Sequence, residues 1–225
     1  MPEETITAKI DRPTKMQFLR AILAGAYIAL GATLMLACKE EGLPGLVCGM
    51  AFSLGLWLVM CAQGELFTGN CLMLAKLSAP GTDNARLARC LAVTYLGNLV
   101  GSVIIVLLVA ATGAYADTDV TIAASKLAAP VHVTLAKSVL CNLCVCLAVH
   151  VGCTQTSPLE RLACAMLPVA CFVACGWEHS IADMFLLPLA FPTIADPVGI
   201  ARVILIATLG NMVAGYALAK VLDKS

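Results

Sequence analysis

The stretch QGELFTGN, residues 63–70, places a carboxylate and a hydroxyl inside a long apolar run. A carboxylate at the centre of a membrane costs about 2.5–3.5 kcal/mol on insertion scales, so it persists where it is paired or functional. Two glycines within the same eight residues loosen a helix. We predict that a helix breaks here, that Glu65 ties the freed backbone together, and that the hydroxyl of Thr68 faces a polar interior.

A second polar interruption, GWEHSIADM, spans residues 176–184. It brings Glu178 and His179 together in an apolar context where lipid-facing residues cannot be polar. Imidazole gains and loses a proton near neutral pH, so His179 could donate a hydrogen bond to an anion and also lend it a proton. We predict a functional role for His179 and a structural role at a second helix break for Glu178.

The composition is that of an integral membrane protein. Of the 225 residues, 60% are hydrophobic and 12% are charged, about half the charged fraction of a typical soluble domain. The formal net charge is zero, so the composition gives no basic surface that would favour nucleic acid as a partner.

Six apolar runs are long enough to cross about 30 Å of hydrocarbon. The second and fifth exceed the usual length of one span, and each contains one of the polar interruptions. Prolines 44, 80, 130, 158 and 197 fall near the breaks between runs, where proline is best tolerated. The predicted spans cover residues 16–37, 43–78, 86–112, 130–151, 160–190 and 198–221, and residues 1–15 form a separate N-terminal segment before a single channel-like domain, 16–225.

The distribution of Lys and Arg predicts that both termini are cytoplasmic. With the N-terminus inside, ten basic residues lie on the inner side and three on the outer side. The inner residues are Lys9, Arg12, Lys15, Arg20, Lys76, Arg86, Arg89, Arg161, Lys220 and Lys224, and the outer ones are Lys39, Lys126 and Arg202.

The two polar interruptions belong to an internal repeat with an offset of 113 residues. At this offset Glu65 aligns with Glu178, and residues 96–98 (Leu-Gly-Asn) align with residues 209–211 (Leu-Gly-Asn). Each unit holds three spans, so the two units must insert in opposite orientations. Inverted repeats with one discontinuous helix each are typical of transporter and channel sites.

Lys137 and Asn142 are the other polar residues predicted inside a span. Lys137 either extends its amine to the interface or raises the local concentration of anions. The pair Cys141 and Cys144 has the spacing of a thiol redox motif, which leaves a membrane thiol-disulfide enzyme as one alternative. Cysteines in apolar helices, however, usually pack as small hydrophobes. An aquaporin-like channel for neutral solutes is the other alternative, although the Asn-Pro-Ala motif of that family is absent.

Several motifs resemble the formate/nitrite transporter family, which includes hydrosulfide channels. They are GELFTGN, LGNLVGS, CNLCVCLAV, EHSIADMF and LGNMVAG, and they follow the family's order across all six spans. Asp183, within EHSIADMF, stands where the family usually has Asn.

The resemblance implies an aquaporin-like protomer, a homopentamer with one pore per protomer, and a location in the inner (plasma) membrane. It implies transport of small weak-acid anions such as formate, nitrite or hydrosulfide, with no enzymatic activity, cofactor or metal, and with lipid as the surrounding partner. Carried over by motif, Phe52 and Phe172 with Leu66 nearby form an outer constriction, and Leu56, Asn142 and Val145 form an inner one.

Thr68 and His179 would then lie between two apolar rings, with Lys137 near the pore. A bare anion crosses an apolar ring at high cost, whereas a neutral acid does not. The expected mechanism is therefore that His179 binds the anion and supplies a proton, after which the neutral acid passes the aromatic ring.

Overall fold

The computed structural model describes residues 3–77 and 79–222, and every element in these ranges is a helix. The helices are α1 (Glu3–Ile10), α2 (Thr14–Glu40), α3 (Gly45–Cys61), α4 (Phe67–Asn70), a 3₁₀ helix (Cys71–Lys76), α5 (Asn84–Thr112), α6 (Ala116–Ala128), α7 (Val131–Gly152), α8 (Pro158–Ala174), α9 (Ser180–Leu189), α10 (Phe191–Ile194) and α11 (Pro197–Leu222). The described residues leave out residues 1–2, residue 78 at the end of the second predicted span, and residues 223–225, which include Lys224.

Most of the long helices begin at or directly after a proline or an aspartate. Pro44 and Pro130 immediately precede α3 and α7, and Pro158 and Pro197 are the first residues of α8 and α11. Proline fits the first helical turn because its missing N–H would have no helical partner there. At the start of α5, the Asp83 carboxylate accepts hydrogen bonds from two backbone N–H groups, at 3.0 and 3.1 Å.

Four of the described helices, α2, α5, α7 and α11, are long and apolar enough to cross a membrane. Two further apolar helices, α3 and α9, are shorter. The long helices pack closely: α2 lies against α5, where a Cβ atom at Gly25 or Gly101 would overlap the facing backbone. Small residues allow this close approach of two helix backbones.

Helix positions repeat with the 113-residue offset seen in the sequence. This separation holds between the first residues of α3 and α8, of α4 and α9, and of α5 and α11. The chain leaves helical structure after Cys61 and after Ala174, which share the same offset, and resumes it six residues later in both cases. The two polar interruptions therefore occupy equivalent places in the fold.

An asparagine side chain holds each interruption in place. The Asn98 amide donates to the carbonyls of Ala21 and Glu65, both at 2.8 Å, and accepts from Phe67 N–H at 2.9 Å. Asn211 makes the same type of contacts to Ser138, Glu178 and Ser180. Both amides are fully buried, and they satisfy backbone groups that have left the helical ladder.

We expect Asn211→Leu to lower the free energy of unfolding by about 3 kcal/mol, because leaving one buried polar group unpaired costs about 1–3 kcal/mol. Chemical unfolding of the protein in detergent micelles measures the change. The equivalent Asn98→Leu should give a similar loss, whereas Leu209→Ala on an exposed face of α11 should stay within about 0.5 kcal/mol. Equal effects for Asn211→Leu and Leu209→Ala would contradict the inference that the asparagine side chain holds the interruption in place.

Candidate functional site

His179 and Thr68 meet at the centre of the helices. His179 immediately precedes α9, Thr68 lies in α4, and both side chains are buried. The distance between His179 Nε2 and Thr68 Oγ1 is 3.0 Å. The structure thus brings together two residues that the sequence places 111 positions apart.

The hydrogen bonds of His179 select one tautomer of the ring. Its Nδ1 accepts a hydrogen bond from Ala182 N–H at 3.1 Å and so caps α9. A nitrogen that accepts carries no proton, so in the neutral ring the proton is on Nε2. Nε2–H then donates to the Thr68 hydroxyl, whose own proton is left to bind a ligand.

Two phenylalanines cover this pair on one side. The ring of Phe172 stacks on His179 with a centroid distance of 5.8 Å and an interplanar angle of 19°. Phe52 meets Phe172 edge to face, with a centroid distance of 5.8 Å. The aromatic pair expected at a constriction therefore lies directly beside the imidazole.

The remaining residues predicted for the constrictions are also buried. Leu56 and Val145 are part of the same apolar core as the phenylalanines. Leu66 belongs to that core as well, and it also lines a cavity beneath α1. Asn142 donates to the carbonyls of Thr68 and Asn211, at 3.2 and 2.6 Å, so its amide also fixes the backbone that carries Thr68.

The N-terminal segment supplies the counter-charges of Glu65. Lys9 Nζ lies 2.6 Å from Glu65 Oε2, and Arg12 pairs with the other carboxylate oxygen. The amide of Asn70 donates to Oε2 of Glu65 at 2.9 Å. Glu65 is fully buried, and two cations and an amide make its charge tolerable there.

A cavity of about 420 Å³ borders this ion cluster. α1 forms one wall, and Glu65, Leu66 and the end of α7 form others. Burial, followed by the charge of Arg12, lowers the pKa of Lys9 to about 8. The amine therefore loses its charge as the pH rises through about 8.

α6 supplies the counter-charge of Glu178. Lys126 Nζ lies 2.5 Å from Glu178 Oε2 and 2.9 Å from Asp183 Oδ1. Burial alone would lower the pKa of Lys126, but the carboxylates of Asp183 and Glu178 outweigh it and raise the pKa. Both interruptions therefore hold a buried glutamate paired with a cation from outside the long helices.

A family model for formate/nitrite transporters matches residues 3–223 of the chain. The chain belongs to the formate/nitrite transporter family. It is 35% identical over 211 residues to the nitrite transporter NirC of Salmonella typhimurium, an alignment that covers 88% of this chain and 78% of NirC. It is 34% identical over 200 residues to the formate channel FocA of Escherichia coli K12, covering 83% of this chain and 70% of FocA.

Solved structures of the formate/nitrite transporter family share the fold. An FNT family ion channel superposes with a TM-score of 0.85 at 29% identity, covering 96% of this chain and 95% of the other. A pentameric formate channel with formate bound gives a TM-score of 0.79 at 28% identity, covering 93% and 96%. The chain is thus a multi-pass membrane protein of a family of channels and transporters rather than an enzyme.

Lys126, rather than a residue of the predicted spans, is the cation at the second interruption. Lys137 is half-buried on α7, and none of the ion pairs among the described residues includes it. Lys126 was counted only as an outer basic residue. Each buried glutamate requires a nearby cation. This requirement is the signal in the sequence that points to Lys9, Arg12 and Lys126 as functional residues.

Cys141 and Cys144 lie one turn apart on α7 as free thiols, with Cys141 fully buried. Membership in a transporter family explains the sequence without requiring a thiol-disulfide enzyme activity. Cys141 packs in the apolar core beside Val145, the ordinary behaviour of a free cysteine in an apolar helix.

We expect the double variant Lys9→Gln, Arg12→Gln to release α1 from the cavity. It removes two charged hydrogen bonds to Glu65, each worth about 1.5–3 kcal/mol. Cys153 lines the cavity, so its rate of reaction with a maleimide should rise about tenfold or more, since 1.4 kcal/mol corresponds to a factor of ten. Peptide-resolved mass spectrometry measures the rate at that one thiol.

The charge of Lys9 favours the thiolate of Cys153, so its removal by itself slows the reaction, and a ratio of variant to wild-type rates above one reports greater access to the thiol. We expect this ratio to fall as the pH rises through about 8, because the wild-type protein itself then loses the charge of Lys9. Lys15→Gln, at an exposed position of α2, is the control and should leave the rate unchanged. A ratio near one at neutral pH would show that the ion pairs do not hold α1.

Proposed function

We propose that the chain is a channel for small monovalent anions of weak acids: formate, nitrite or hydrosulfide. The observation that carries this proposal is the buried contact between His179 Nε2 and Thr68 Oγ1 beneath the ring of Phe172. The contact leaves the Thr68 hydroxyl proton free to bind an anion, and an anion that displaces the contact also gains Nε2–H as a donor, at the N-terminus of α9, where the helix dipole favours negative charge.

The membrane arrangement belongs to this proposal. Six spans cross the inner (plasma) membrane, and α3 with α4 and α8 with α9 form the two interrupted ones. The halves are inverted relative to each other, and both termini are cytoplasmic. The matching helix starts and the equivalent hydrogen bonds of Asn98 and Asn211 support this arrangement. The pentameric formate channel of similar fold supports a homopentamer.

Anions reach the site through the cavity beneath α1, where three cations, Lys9, Arg12 and Arg161, outnumber two carboxylates, Glu4 and Glu65. A net positive entrance raises the local concentration of anions. Leu66 lies on the cavity wall, and with Leu56 and Val145 it forms the apolar ring on this side. Phe52 and Phe172 form the ring on the other side.

At the centre the anion accepts hydrogen bonds from His179 and Thr68. His179 takes up a second proton at Nδ1, which releases the cap on Ala182, and then gives its Nε2 proton to the anion. The imidazolium becomes a neutral ring, and the anion becomes a neutral acid that crosses the apolar ring at far lower cost than the anion. Asn142 holds the backbone of Thr68 in place.

Uptake into proteoliposomes tests the proposal. Purified protein is reconstituted, and the influx of formate, nitrite and hydrosulfide is measured at an acidic and a neutral pH. We expect protein-dependent flux of at least one of them that is faster at acidic pH. Flux of water or glycerol with none of the three anions would instead establish a channel for neutral solutes.

A further inference from the structure

The two ion clusters at the interruptions have opposite charge balances. Glu65 and Asn70 are separated by five residues, as are Glu178 and Asp183, and the two pairs are equivalent at the 113-residue offset. The first cluster has one carboxylate and two cations. The second has two carboxylates and one cation, Lys126. An aspartate thus stands where the first cluster has a neutral amide.

Lys126 satisfies only one of the two carboxylates fully. It donates a hydrogen bond to Glu178 at 2.5 Å. Its Nζ is 2.9 Å from Asp183 Oδ1, but the groups are not aligned for a hydrogen bond, and neither Asp183 oxygen receives one from the described residues. Asp183 is fully buried. A buried carboxylate without donors is stabilised by taking a proton, which here would bond to the facing Glu178 carboxylate.

A third carboxylate adds to the negative excess. Asp119 lies seven residues before Lys126, on the same face of α6, which packs against α9. It is fully buried, and both of its oxygens lack a hydrogen-bond partner in the described part of the chain. Burial raises the pKa of Asp119 to about 7 against the lowering effect of Lys126. Asp119 therefore does not neutralise the cluster, and it competes for the same cation.

We propose that Asp183 binds a proton, which it shares with Glu178, and that this carboxylate pair stores the proton that neutralises an anion at His179. With one bound proton, Glu178 and Asp183 together carry a single negative charge, which Lys126 balances. On transfer, the O–H bond of the carboxylic acid breaks and its proton passes through His179 to the anion. The carboxylate is then reprotonated from water. The storage role rests on the proposed function, whereas proton binding at Asp183 does not.

The position of the pair suits this role. Asp183 N–H donates to the His179 carbonyl at 2.9 Å in the first turn of α9, and Glu178 is the residue before His179. The ionisable groups that interact with Asp183 are Lys126 from α6, Tyr95 from α5, Cys141 from α7 and Glu178 from the segment before α9. Asp119 and His179 interact with Lys126.

Infrared difference spectroscopy during a pH titration tests proton binding directly. We expect the wild-type protein at neutral pH to show the carbonyl stretch of a protonated carboxylic acid, which disappears as the pH rises. Because Asp119 is a second buried carboxyl group without hydrogen-bond partners among the described residues, the comparison is made in Asp119→Asn protein, which should keep a band from Asp183; adding Asp183→Asn should abolish it. If the double variant does not fold, Asp119→Asn protein grown with carbon-13-labelled aspartate replaces it, because a band from Asp183 must then shift. A band unchanged by both treatments would overturn the proposal.

Flux measurements test the storage role with the same substitutions. We expect Asp183→Asn to lose the rise in anion flux between neutral and acidic pH while Asp119→Asn keeps it. If adding Asp183→Asn abolishes the infrared band but Asp183→Asn keeps the full rise, the storage role is wrong. If the wild-type protein carries none of the three anions, the proposed function is wrong, while loss of the band on adding Asp183→Asn still establishes the proton site.

Discussion

His179→Asn is expected to lower anion flux at acidic pH by about ten- to a hundredfold and to remove most of its dependence on pH. The substitution leaves the hydroxyl of Thr68 without its buried partner at 3.0 Å and removes a donor to the anion. The loss of such a group costs about 1–3 kcal/mol, and each 1.4 kcal/mol is a factor of ten. Asparagine also has no group that titrates near neutral pH.

Asparagine is the informative replacement because it separates the chemistry of His179 from its structural contact. His179 caps α9 by accepting a hydrogen bond from Ala182, and asparagine is among the preferred residues at this position. The helix start should therefore survive. Alanine would remove the cap as well and would not distinguish a lost proton site from a disturbed helix.

Proteoliposome influx at several pH values measures the effect, with equal protein amounts verified after reconstitution. His132→Asn is the matched control, because His132 lies exposed in the first turn of α7. It should keep the wild-type profile. If His179→Asn also keeps that profile, the proton does not pass through the imidazole, and the site acts on the anion by hydrogen bonding alone.

The central pair could be predicted because its signal is local. Polar residues in apolar spans are costly, so Glu65, Thr68, Glu178 and His179 stand out in the sequence without any knowledge of the fold. Apolar run length and proline positions predicted the long helices to within a few residues at most ends. The 113-residue offset also predicted which polar residues are equivalent.

The partners of the two glutamates could not be located from local pattern. α1 and α6 are short helices between or before the spans, and nothing in their hydropathy shows which way they fold. The two short helices lie at opposite ends of α5. Arg89, near the start of α5, donates to the carbonyl of Ile10 at the end of α1, whereas α6 follows the last residue of α5. The cations therefore reach the two interruptions from opposite ends of α5. Only the packed structure shows that Lys126 meets Glu178.

Lys126→Met is therefore expected to be among the most destabilising substitutions in the chain, lowering the free energy of unfolding by about 3–5 kcal/mol. Methionine retains most of the apolar stem but leaves Glu178 and Asp183 buried without a cation. Lys137→Met removes the same chemical group from a half-buried position outside these ion pairs, and it should change stability by about 0.5 kcal/mol or less. Unfolding in detergent micelles measures both.

The pH dependence and a second substitution identify the cause. The stranded carboxylates can take protons, so the deficit of Lys126→Met should shrink as the pH falls and grow as it rises, because protonation replaces the lost charge compensation. Adding Asp183→Asn leaves Glu178 as the only one of the two carboxyl groups that can ionise, and it should recover the part of the loss that appears as the pH rises. A deficit independent of pH, or one matched by Lys137→Met, would mean that Lys126 contributes packing rather than charge, and both the ion cluster and the proton site at Asp183 would lose their basis.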